Sequence, residues 1–84
     1  MSANDVLQDI QICLNDINMY SNPYCHTIKL KLYYDLFTLI CKNKKILPKE
    51  YIDVAKMKLA DMNKNMTTND KEVINLGYFM KLLN

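Results

Sequence analysis

The chain has 84 residues, half of them hydrophobic, with one glycine and two prolines. That length holds one domain with a small core, the apolar content excludes a disordered chain, and the shortage of glycine argues against an all-β fold. The net charge is +2, carried by lysine with no arginine, a slighter excess than phosphate-binding proteins usually carry.

The first helix is expected over 4–20. Ser2 or Asn4 can cap it, and Asp5 suits the positive end of its dipole. Val6, Leu7, Ile10, Cys13, Leu14 and Ile17 recur at helical spacing and make one apolar face. Polar residues fill the other side, apart from Ile12 and Met19. Ser21-Asn22-Pro23 then breaks the chain and starts it again, since proline fits the first position of a helix. The second helix is expected over 23–42, with Tyr24, Ile28, Leu32, Leu36, Leu39 and Ile40 on one stripe. Leu30, Tyr33, Phe37 and Cys41 form another, so this helix should be the most buried.

Pro48 opens a third helix, expected over 48–62. Tyr51, Ile52, Ala55, Leu59 and Met62 share its narrow apolar face. A polar loop follows, and Thr68 or Asn69 should cap a fourth helix over 69–83, with Asn69 and Glu72 spaced as in a capping box. This last segment has apolar residues on two sides. Val73, Leu76, Met80 and Leu83 form one stripe, and Ile74, Tyr78 and Leu82 form a second. A bundle needs only one such face. The second should meet another protein or a second copy of the chain, or it belongs to a wider core. Gly77 within the segment suggests close approach of a neighbour. Connections of roughly two to six residues imply antiparallel neighbours. The expected fold is therefore all-α, an antiparallel up-down four-helix bundle in a single domain.

The residue types needed for catalysis are poorly placed. His26 adjoins Cys25, but neighbours on a helix point about 100° apart and rarely share a metal. No Cys-x-x-Cys spacing exists. The carboxylates of Asp9 and Asp16 fall on a solvated face, and one glycine cannot build a phosphate-cradling loop. No enzyme activity, metal or cofactor is expected. The three cysteines, Cys13, Cys25 and Cys41, fall on or near apolar faces, and the acidic N-terminus does not read as a secretory signal. They are expected to be buried free thiols in a reducing cytoplasm. The longest largely apolar stretch, Leu32 to Cys41, contains Asp35 and is half of the ~20 residues that a membrane span needs, so a soluble chain is expected.

Charge is unevenly spread. Residues 1–21 carry three aspartates and no lysine, while residues 22–64 carry nine lysines against four acids. Lys42, Lys44, Lys45 and Lys49, with Lys29 and Lys31, form a basic region that could meet nucleic acid without sequence preference. The modest charge and the missing arginine make that the weaker reading. Abundant Asn, Lys, Ile and Tyr suggest an AT-rich genome, bacterial or viral, and say nothing of mechanism.

Several of these elements together resemble a known family. Leu14-Asn15-Asp16-Ile17 is followed by Ser21-Asn22-Pro23-Tyr24, then by the Pro48-opened helix. Met66-Thr67-Thr68-Asn69-Asp70 then leads into Glu72-Val73-Ile74 and Leu76. In this order, over roughly residues 7–83, the chain is similar to the immunity proteins of pediocin-like (class IIa) bacteriocins, the enterocin A immunity group. Members commonly continue past the fourth helix into a tail, whereas this chain stops at Asn84. The resemblance implies a small cytoplasmic four-helix bundle that does no catalysis. It also implies protection of a producer cell at the inner face of its membrane. There the protein engages a bacteriocin-bound receptor, the mannose phosphotransferase permease.

The functional expectation is thus a protein-binding module. Its contact surface is expected on the fourth helix, through Ile74, Tyr78 and Leu82 with Lys71 and Lys81. A viral or phage protein that binds and inhibits a host protein would show the same small size, composition and lack of catalytic groups.

Overall fold

Ser2 caps the first helix reciprocally. Its hydroxyl accepts the Asp5 N–H at 3.3 Å, and the Asp5 carboxylate accepts the Ser2 N–H at 3.4 Å. Two otherwise orphaned donors of α1 (Ala3–Met19) are satisfied in this way. The computed structural model describes residues 2–84. Val6, Ile10 and Ile17 of α1 are buried, whereas Leu14 is exposed despite its place on the expected face.

The second helix starts later than its sequence suggests. The Asn22 side chain accepts the Tyr24 N–H at 2.9 Å and opens a 3-10 turn, Pro23–Cys25. α2 (His26–Lys42) follows. A 3-10 turn winds three residues per turn instead of 3.6, so Tyr24 falls out of phase with the stripe that its spacing suggests. It is 97% exposed. Leu30, Leu36, Phe37 and Ile40 carry the buried face of α2, which draws on both expected stripes. All three cysteines are only half-buried and none is in a disulfide, which corrects the expectation of core thiols. The Cys13 thiol donates to the Leu32 carbonyl at 3.3 Å and ties α1 to α2.

α3 (Lys49–Asn65) runs three residues beyond its expected end. Ala55, Leu59 and Met62 face inward, and Leu47 from the preceding loop is buried beside them.

The expected fourth helix is two. Thr67, rather than Thr68 or Asn69, caps α4 (Thr68–Val73), its hydroxyl accepting the Asp70 N–H at 3.1 Å. Asn75 then adopts φ 57°, ψ 45°, the left-handed conformation, and α5 (Leu76–Leu83) begins. Asparagine enters this region more easily than most non-glycine residues, and it sometimes takes the place of glycine at a helix end. The kink re-aims the chain. Ile74 and Leu76 point about 200° apart on a continuous helix, yet both are buried here. Val73, expected in the core, is exposed instead. The kink therefore draws Ile74 of the second expected face into the core beside Leu76 and Leu83, while Tyr78 of that face stays exposed.

Phe79, placed in neither expected stripe, is buried in that core. Its ring lies 5.8 Å from Phe37 and meets Tyr34 edge-on at 5.6 Å. Polar ties hold the outer segments. His26 Nε2 lies 2.8 Å from an Asp70 carboxylate oxygen and joins the start of α2 to α4. The Lys44 amine donates to the Leu82 carbonyl at 2.7 Å, at the negative end of α5. The described chain is all helical, with Cα extents of 35 × 27 × 16 Å. The short dimension leaves room for no more than two layers of helices.

Candidate functional site

In so thin a molecule α2 is covered incompletely. α1 packs along one side of it, while α3 and α5 pack together and against its other side. Between α1 and α3 lies a groove of about 570 Å³ over α2. Tyr33 is half-buried in its floor, and Leu36, Phe37 and Ile40 are buried beneath it. Ile10, Leu14 and Ile17 form the α1 wall, and Tyr51, Val54 and Ala55 the α3 wall. The charged residues lining it are Glu50 and Lys58, and Asn18 adds a polar group at the α1 side. The Lys58 amine lies 5.5 Å from the centre of the Tyr33 ring, a weak attraction where water reaches it.

Each wall departs from what its sequence promised. Leu14 and Tyr51 belong to the apolar faces of α1 and α3, but they stand exposed at the rim because neither helix is covered there. Val54 was on no expected face and is 64% exposed. One turn further Met57 is 73% exposed, on the adjoining side of α3. These two residues were the missed signal, since they are surplus apolar positions beside an already complete narrow face.

The surface expected on the last helix is dispersed. Ile74 lies wholly in the core and offers no contact, because the kink at Asn75 turns it inward. Lys71 is half-buried and donates to the Asn63 carbonyl at 3.1 Å. Leu82 is half-buried. Tyr78, 53% exposed, and Lys81 remain outside. Nothing lies within 4 Å of where a side chain on Gly77 would begin, so this glycine does not serve a close approach.

Lys42, Lys45 and Lys49 are exposed around the connection from α2 to α3, and Lys44 among them is engaged with Leu82. Among the described residues no three His, Cys, Asp or Glu side chains gather as metal ligands, and no helix is long and apolar enough to cross a membrane. Burial pushes the Cys13 thiol above its ordinary range, and the carboxylates of Asp35 and Asp16 push the same way. Burial also raises Cys41, with Lys44 partly offsetting it.

Comparison with known protein families, with curated proteins and with solved structures finds no match to this chain.

Proposed function

We propose that this protein is a non-catalytic protein-binding module that docks an amphipathic helical segment of a partner in the groove between α1 and α3. The observation that carries the reading is the groove itself, an apolar trough with Tyr33 in its floor and exposed Leu14 and Val54 in its walls. Its volume is in the range of small-molecule pockets, but it lies open on the surface with apolar rims. That shape suits a row of side chains at helical spacing, which is how helix-in-groove recognition works. Apolar rims left in water also favour association, because covering them releases the cost of hydrating them.

A photo-reactive residue placed at Leu14 or Asn18, within the groove, should cross-link the same partner in the native host. Placed at Gln8, on the solvated side of α1, it should not. Equal products from all three positions, or none from the groove, would remove the reading.

Receptor guarding in a bacteriocin producer is the narrower form of this proposal. It is supported by the motif resemblance alone, with α4 and α5 together standing for the fourth helix of an antiparallel bundle. The groove, with Tyr78 and Lys81 of α5, would then meet the cytoplasmic side of the permease. A producer strain deleted for the gene should become sensitive to its own bacteriocin, and unchanged survival would end this form.

A further inference from the structure

We infer that the outer wall of α3 is a two-fold interface with a second copy of this chain, in which the two α3 helices pack antiparallel about an axis through Val54. The inference goes beyond the docking reading, since it sets a second copy of the chain against the α3 side of the groove face and is argued from α3 itself.

The pattern on α3 is self-complementary. Tyr51 stands three residues before Val54, and Met57 three after. Glu50 stands four before, and Lys58 four after. At 100° per residue all of them lie within about 60° of Val54 around the helix. A two-fold axis uses the same patch on both subunits. In an antiparallel pair it sets each residue before the axis against the residue equally far after it in the second copy. Val54 then meets itself, while Tyr51 and Met57 of each copy flank it on opposite sides of the seam and cover it. Glu50 meets Lys58 of the second copy, twice by symmetry. Along the overlap from 49 to 59 no like charges face one another.

Exposure and charge within one chain point the same way. Val54 and Met57 are among the most exposed large apolar residues of the molecule, and Tyr51 beside them is exposed too. Glu50 and Lys58 of one chain are about 12 Å apart along the helix axis, too far to pair. Among the described residues Glu50 has no ion-pair partner. The antiparallel copy supplies one, and it supplies an apolar cover for the stripe between. A single helix pair is a small interface, below the ~1,200 Å² at which stable complexes usually begin. The dimer is therefore weak and depends on concentration.

Analytical ultracentrifugation of the full chain over a concentration series tests this. The wild type should pass from monomer to dimer as concentration rises. Glu50→Lys and Lys58→Glu should each weaken the dimer about tenfold or more, since either change turns two attractions into two repulsions. The double variant Glu50→Lys/Lys58→Glu should regain wild-type association. An equimolar mixture of the two single variants should associate more tightly than either alone. Val54→Asp, which sets two carboxylates on the axis, should abolish the dimer while helical content, read by circular dichroism, stays unchanged. A wild type that stays monomeric up to ~1 mM, or a dimer indifferent to charge reversal, would overturn the inference. Loss of groove cross-linking from Leu14 and Asn18 would instead strike the docking reading and leave this result standing.

Discussion

Asn75 is the residue on which the C-terminal packing turns. Its left-handed backbone is the one positive φ among the described residues, and it lets Ile74 and Leu76 both face inward. A β-branched side chain cannot take that conformation cheaply. Asn75→Val should cost about 1–2 kcal/mol, whereas Asn75→Gly should be near neutral. Chemical denaturation reads both, and an equal loss in the two would deny the kink its role. Gly77, two residues on, is an ordinary exposed helical position with open space around it. Gly77→Ala should therefore stabilise by up to about 1 kcal/mol. The thiols extend the argument to pH. Burial raises Cys13 and Cys41 in the folded state, so the native protein holds these protons where the unfolded chain releases them. Stability from this source is complete below the unfolded thiol value of about 8.5, and it is lost as pH rises through the folded values. Alkylation of the two thiols at neutral pH should be slower than in the urea-unfolded chain, and equal rates would contradict the shift.

At the scale of elements, what could be read from the sequence is what depends on short-range chemistry. The Ser2 cap, the restart after Asn22 and the Pro48 entry are local, and they mark the helices well. The faces of α1 and α3 followed from periodicity, through Val6, Ile10 and Ile17 and through Ala55, Leu59 and Met62. The break at Asn75 did not, because asparagine costs little inside a helix and the residues on either side keep helical spacing. A single backbone flip then exchanged core and surface beside it. Ile74 went in, Val73 went out, and Phe79, on neither stripe, was buried, while Leu76 and Leu83 kept the core positions that their spacing implies. The candidate site was hidden for a different reason. Leu14 and Tyr51 have the periodicity of core residues, and only the three-dimensional arrangement shows that no helix covers them. Val54 and Met57 carried the better hint, being apolar where the face of α3 was already complete.

For the whole molecule, a thin slab with an open groove has little core in reserve. At 0.05–0.15 kcal/mol per residue a chain of this size is stable by roughly 4–13 kcal/mol. Phe79 joins α5 to α2 through Phe37 and Tyr34 and is buried between them. Phe79→Ala should then cost about 3–5 kcal/mol, a large part of the total, and should broaden or abolish the cooperative thermal transition. Val54→Lys on the rim should stay within about 0.5 kcal/mol of wild type, because a side chain already in water loses little by becoming charged. The contrast separates the parts of this surface that hold the fold from the parts that are free to bind. If thermal melts showed both substitutions costing the same, the α3 wall would be part of the core, and neither a partner helix nor a second copy could use it without unfolding its host.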